Sequence, residues 1–215
     1  MHSFNGGLDI EIIKYDPNDP NIIPSAVKAY LNAKIPLIAH LRFEHKIKGV
    51  AYHAVVITGY KCGKNREIIE LYVHDDGRGP YSRVYPDKNF EKWITDWKNC
   101  GYKVFLEQLI VPLYPKIRLQ FKLIRKNFLQ GLEQINKMKQ KKDLTFELFL
   151  TTIQNYKNDL LIKNFDSKSD KIKALFPKFL WIERVYYKGK IFKDFIFDGT
   201  EVYPVEIKES PIRFK

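Results

Sequence analysis

Two apolar runs near the middle of the chain have the pattern of a β-hairpin. One runs from His53 to Tyr60 and the other from Glu67 to Asp75, and both are rich in β-branched residues. A turn-rich segment joins them. If the hairpin is symmetric about Lys64, His53 directly faces Asp75 across the two strands. The pattern therefore predicts an antiparallel pair that holds these two side chains together on one face.

The first run is apolar on both of its faces. Val55 and Ile57 alternate with Ala54 and Val56 along it. Strands with two apolar faces are typical of sheet interiors that are covered on both sides. We therefore expect this strand to be central and buried on both faces.

The rest of the first half predicts an antiparallel sheet with helices, forming a first domain of residues 1–114. Residues 1–24 are expected to be a loop, since Pro17 and Pro20 lie among turn-forming residues. Ser25 is a good N-cap for a helix that follows it. The predicted elements are strands at 35–43 and 102–113 and helices at 26–33 and 86–97.

The second half, residues 115–215, changes character. Apolar residues recur at helical spacing over 117–138 and again over 146–160, which predicts a helical hairpin. Two further apolar runs, 178–187 and 190–197, flank a Lys-Gly turn and predict a C-terminal β-hairpin. The whole chain is therefore predicted to be α+β, with a second domain at 115–215.

Composition describes a packed, basic protein. Of its 215 residues 45% are hydrophobic, and the formal net charge is +12. No apolar run approaches the ~20 residues that cross a bilayer, so no membrane span is expected. The first residues lack the basic and apolar regions of a signal peptide, and two cysteines form no disulfide framework. A cytoplasmic location is therefore the default expectation.

The positive charge suggests an acidic partner as one alternative. Basic residues in the second half could form a patch for nucleic acid, or they could be the solvated end of a helix. The candidates for such a patch are Arg125, Lys126, Lys137, Lys139, Lys141 and Lys142. A non-catalytic binding module that uses this basic half is the rival to any enzymatic interpretation.

His53 and Asp75 are the strongest candidates for chemistry. A carboxylate beside an imidazole holds it in one tautomer and leaves the other ring nitrogen for proton transfer. His40, His45 and His74 could bind a metal together with His53, but no Cys or carboxylate lies at metal-ligand spacing with them in the sequence. We therefore expect neither a metal nor another cofactor.

The motif HAVVITGY, followed by YVHDD, resembles the His and Asp strands of C39-like, papain-like cysteine peptidases of the bacteriocin-processing kind. The resemblance implies a papain-like antiparallel sheet, with a peptide or protein as substrate. It also implies that His53 is the catalytic base and Asp75 its orienting partner. Arg78, in the loop after Asp75, would then lie beside the site and could contact substrate.

One departure from that family concerns the nucleophile. The family's cysteine precedes the histidine on an N-terminal helix, whereas this sequence has no cysteine before His53. Cys62 and Cys100 follow it, the first in the hairpin loop and the second at a predicted helix end. We therefore expect this chain to be a fragment or an inactive relic of a C39-like peptidase. A peptide substrate would be cleaved if an upstream segment supplied the thiol.

Overall fold

The computed structural model describes residues 9–95, 101–114, 116–137, 144–162 and 178–204. The chain divides into two compact units. The first unit is Leu8–Leu113, and the second contains Tyr114–Lys215. Within the described ranges, no helix is both long enough and apolar enough to cross a membrane.

The first unit is a continuous antiparallel sheet with a helix, α1, at Ile22–Asn32. The strand order is β1-β7-β2-β3-β4-β5-β6, and every pairing in it is antiparallel. The strands are β1 Asp9–Lys14, β2 Leu37–His45, β3 Gly49–Cys62, β4 Ile68–Asp75, β5 Gly79–Pro86, β6 Lys92–Ile94 and β7 Lys103–Leu113.

Strand β7 closes this sheet into a ring. Along one edge β7 pairs with β2. Along its other edge, the first part of β7 pairs with β6, where Val104 faces Trp93, and the later part pairs with β1, where Ile110 faces Ile12. The order β2-β3-β4-β5-β6-β7 therefore returns to its start. An extra residue in β7, Glu107, bulges between the two halves of its pairing with β2. Bulges of this kind bend a strand and are common at barrel rims.

Alternate residues of the ring point inward and form its core. Leu41, Val55, Ile57 and Val73 are buried, whereas Ala54 on the outer face of β3 is exposed. The prediction that β3 is covered on both faces is therefore wrong. Because the sheet curves around its own interior, the inner face supplies the buried surface and the outer face meets solvent.

Helix α1 contacts β1, β2 and β3 through its apolar face. It begins at Ile22, earlier than predicted, and Asn21 rather than Ser25 is its N-cap residue. Pro24 lies in the first turn, where a missing N–H costs no helical hydrogen bond. The hydroxyl of buried Tyr30 donates to Glu11 of β1 at 2.5 Å, which ties the helix to the edge of the sheet.

Two further predictions in the first half are wrong. The expected loop at 1–24 contains β1, in which Glu11 and Ile13 are buried. The helix expected at 86–97 is contradicted over its described part by β6, in which Trp93 is buried while its two neighbours are exposed. That alternation has the period of a strand, and Phe90 before it adopts a φ of 61°. Trp97 lies outside the described residues.

The second unit combines helices with a sheet of order β10-β9-β8. Its elements are α2 Phe121–Lys137, β8 Leu144–Thr152, α3 Ile153–Ile162, β9 Phe179–Tyr187 and β10 Lys190–Asp198. The C-terminal β-hairpin is thereby confirmed, but the helical hairpin is wrong, since residues 146–152 pair with β9 as a strand. Both units agree with the α+β class.

A buried ionic cluster joins the strands of the second unit to α3. Arg184 donates two hydrogen bonds to Asp194, at 2.8 and 2.7 Å, and also lies 2.8 Å from Asp159. The hydroxyl of Tyr156 donates to Asp194 at 2.8 Å. Burial alone would lower the pKa of Arg184, but the hydrogen bonds and charge of Asp194 outweigh it and raise that pKa. The guanidinium therefore stays charged and paired.

Replacing Asp194 should strongly destabilise the second unit. In Asp194→Ala the guanidinium of Arg184 keeps its charge but loses its main partner, and breaking a buried pair costs about 3–5 kcal/mol. Urea unfolding should show that loss in the free energy of unfolding. The exposed substitution Glu201→Gln is the control and should stay within about 0.5 kcal/mol of wild type. Equal stability of the two variants would contradict this role of the cluster.

Candidate functional site

A pocket of about 370 Å³ opens at one end of the ring. It contains the histidine and aspartate that the sequence singled out, together with aromatic and polar neighbours. Its lining residues are Phe43, Ala51, Tyr52, His53, Asp75, Asp76, Gly77, Arg78 and Tyr102. All of them belong to the first unit.

Strand alternation places the central side chains of this pocket. His53 lies two residues before Val55 on β3, and Asp75 lies two residues after Val73 on β4, so both share the inward face with a core residue. Phe43 continues the inward face of β2 in the same way beyond Leu41. The pocket therefore begins where the apolar filling of the ring ends.

His53 and Asp75 are in direct contact. The distance from His53 Nε2 to Asp75 Oδ2 is 3.0 Å, which is within hydrogen-bond range. The Asp75 side chain is only 3% exposed, whereas 32% of the His53 side chain is open to solvent. One member of the pair is thus fixed in the protein and the other is open to the pocket.

Backbone amides fix the orientation of the Asp75 carboxylate. Its Oδ1 accepts hydrogen bonds from the N–H of Gly77 at 2.8 Å and of Arg78 at 3.0 Å. Aspartate commonly folds a turn around its own side chain in this way. Because Oδ1 is occupied by the loop, Oδ2 is directed at the imidazole.

The predicted contact is confirmed, but the predicted register is wrong. In the structure Val56 faces His74, so Asp75 lies opposite Val55 rather than His53. The register is already displaced at the turn, where Cys62 faces Ile68, and the two bulges between the turn and the site, at Thr58 and Ile69, offset each other. The two side chains are diagonal neighbours on one face, about 7–8 Å apart at the backbone, a span that a histidine can bridge.

Asp76 is the site residue that the sequence reasoning missed. Its Oδ1 lies 3.5 Å from His53 Nε2, and its side chain is 87% exposed. The signal was a second acidic residue at the end of a strand, directly before Gly77. Strict strand alternation would point the Asp76 side chain away from that of Asp75. The turn that begins at Asp76 bends the backbone, so the Asp76 carboxylate faces the pocket.

Aromatic rings line the pocket beside the pair. The ring of Phe43 lies edge-on to His53 with centroids 6.0 Å apart, and Tyr102 packs against Phe43 at the same distance. Edge-to-face pairs at this separation are favourable. These rings make one wall of the pocket apolar, and the packing of Phe43 restricts the orientations that the His53 ring can adopt.

Other candidates have different surroundings. The exposed side chain of Arg78 lines the pocket, and its contact with a substrate stays a prediction. Of the two cysteines, Cys62 is exposed at the end of β3, and Cys100 lies outside the described residues. Arg125 is buried, so it does not contribute to the basic surface patch that was one of the two alternatives for these residues, whereas Lys126 is exposed. Lys139, Lys141 and Lys142 lie outside the described ranges.

The other histidines among the described residues have partners of their own. His40 stacks on Tyr52, His45 Nδ1 accepts backbone hydrogen bonds from its own turn, and His74 packs against Tyr81. Among the described residues, the group with metal-ligand spacing is instead His53 with Asp75 and Asp76.

Comparison with known proteins agrees with the geometry. Residues 15–105 match the family model described as the Peptidase_C39 like family, and this segment contains both His53 and Asp75. No curated protein and no solved structure is significantly similar to the chain. Residues 15–105 of this chain are therefore similar to the C39-like, peptidase-related family.

Proposed function

We propose that the first unit binds peptide segments in the pocket beside His53 and Asp75, and that this chain does not cleave them with a thiol of its own. The observation that carries the proposal is the 3.0 Å contact between His53 Nε2 and Asp75 Oδ2, in a segment that matches a peptidase-related family. In the papain-like assignment, His53 is the base, Asp75 its orienting partner and Arg78 a substrate contact.

The geometry suits the orienting role of Asp75. In a cysteine peptidase the imidazole keeps the thiol ionised and later protonates the leaving group. With the proton of a neutral His53 on Nε2 and donated to Asp75, Nδ1 carries the lone pair that such chemistry uses. The amides that hold Asp75 Oδ1 keep this arrangement in place without a contribution from substrate.

The position of Cys62 supports binding rather than thiol chemistry. This cysteine is nine residues beyond His53 on the same strand. At ~3.3 Å per residue the two side chains are roughly 30 Å apart, far beyond the reach of a proton transfer. The sequence contains no cysteine before His53, where the family has its nucleophile.

The pocket suits a segment of extended peptide. It is open to solvent and combines the rings of Phe43 and Tyr102 with the polar groups of Asp76 and Arg78. Pockets that bind organic ligands typically pair apolar walls with a few placed polar groups. The aromatic wall would hold a side chain, and the polar groups would contact the peptide backbone or its charges.

Truncating the aromatic wall should weaken peptide binding. Tyr102→Ala should lower the affinity for a fluorescein-labelled random hexapeptide library by about 1–2 kcal/mol, or roughly 5–30-fold. Fluorescence anisotropy, recorded in the presence of a metal chelator, measures this affinity. Tyr203→Ala removes an exposed tyrosine of the second unit and is the matched control. Binding that is absent in wild type, or unchanged in Tyr102→Ala, would contradict the proposed pocket.

Neither cysteine should depend on His53 for its reactivity. An imidazolium beside a thiol ionises it at low pH, so an activated cysteine labels rapidly at pH 6. Iodoacetamide labelling over a pH series, read by mass spectrometry, should give the same slow rates for Cys62 and Cys100 in wild type and in His53→Ala. Rapid labelling of Cys100 at pH 6 that disappears in His53→Ala would mean that the chain has its own nucleophile.

A further inference from the structure

We propose that His53, Asp75 and Asp76 form a binding site for a divalent transition-metal ion, with zinc as the best fit, on the wall of the pocket. The donor atoms are His53 Nε2 and one carboxylate oxygen of each aspartate, and they all lie within 4.8 Å of one another. The site lies in the same pocket as the proposed function, but it does not require that peptides bind there.

The spacing of the donor atoms fits a small ion. His53 Nε2 is 3.0 Å from Asp75 Oδ2 and 3.5 Å from Asp76 Oδ1. Zinc binds nitrogen and carboxylate oxygen at about 2.0–2.2 Å, so neighbouring ligands of a tetrahedral ion are roughly 3.3–3.6 Å apart. An ion would therefore need a small opening of the His53–Asp75 pair and no movement of the strands.

The donor set selects the class of metal. An imidazole favours zinc, copper, iron or nickel over magnesium and calcium, which prefer oxygen alone. Two carboxylates with a neutral imidazole also balance the double positive charge of the ion. Three protein ligands are typical of zinc sites that keep a coordination position open, and here that position would face the pocket.

Asp75 has the support that metal ligands usually need. Its Oδ1 is held by the amides of Gly77 and Arg78, so Oδ2 is presented in a fixed direction. Groups that orient a ligand in this way typically contribute 10–100-fold to metal affinity. Because the side chain is almost fully buried, the ion would meet one rigid ligand and two that can adjust.

Asp76 distinguishes a metal site from a hydrogen-bonded pair. The contact between His53 and Asp75 is complete without Asp76, whose side chain is 87% exposed. A carboxylate in that position adds little to a pair that is already formed, but it is the third ligand of a metal site. Because the Asp76 side chain is exposed, its substitution should leave folding intact, which makes Asp76→Asn the informative variant.

The experiment is a titration of chelator-treated protein with zinc alone, followed by calorimetry, on a Cys62→Ser background that removes the exposed thiol. Wild type should bind one zinc ion per chain. Asp76→Asn should weaken binding at least tenfold, and His53→Gln should abolish it. The matched controls, Asp9→Asn and His40→Gln, remove an exposed aspartate and another histidine of the first unit and should bind like wild type.

Cobalt provides a second readout that does not depend on heat. A cobalt ion held by three protein ligands should give visible absorption bands in wild type that are lost in His53→Gln. Absence of zinc binding at 100 µM free ion, or equal binding in wild type, Asp76→Asn and His53→Gln, would overturn the proposal. Because the peptide assay is run with chelator, peptide binding without zinc binding would reject the metal site and leave the proposed function standing.

Discussion

The alternation of side chains in a closed ring of strands is the constraint on which the site depends. In the halves of β2, β3 and β4 that lead to the pocket, every second residue points inward, and most of these positions are filled by aliphatic side chains. At one end the aliphatic filling stops, and the next inward positions are Phe43, His53 and Asp75. The polar pair therefore has an apolar floor and an opening to solvent.

Burial of Asp75 makes this arrangement specific. A buried carboxylate is costly unless its oxygens are hydrogen-bonded, and here two amides and an imidazole supply the partners. The loop after β4 is thereby folded around the same side chain that holds the histidine. The fold of the loop after β4 and the position of the His53 ring therefore both depend on the Asp75 carboxylate.

The sequence predicted this pair better than it predicted the register. The symmetric hairpin was wrong by two residues at the site, because the turn is centred one residue beyond Lys64, so that Cys62 already faces Ile68. The bulges at Thr58 and Ile69 offset each other. An error of two keeps both side chains on the same face, whereas an error of one would have put them on opposite faces. Period-two alternation is thus a more reliable guide to the site than exact pairing.

Helix and strand were confused where apolar spacing fits both. Phe90, Trp93 and Ile94 match a helix, yet β6 is a strand because its partners in β5 and β7 close the ring. Phe146, Phe149 and Leu150 also match a helix, but β8 pairs with β9. These outcomes depend on partners distant in sequence, which local patterns do not contain. Asp76 was missed for a related reason, since a turn rather than strand alternation directs it.

The most direct test of the account is the tautomer of His53 in metal-free protein. A long-range ¹H–¹⁵N spectrum at about pH 8.5, where an ordinary histidine is neutral, reports which ring nitrogen carries the proton. Assignment of the His53 signals would use His53→Gln. The account predicts that the proton is on Nε2, facing Asp75, and that Asp75→Asn removes this preference. A proton on Nδ1 in wild type, or a mixture that Asp75→Asn leaves unchanged, would contradict it.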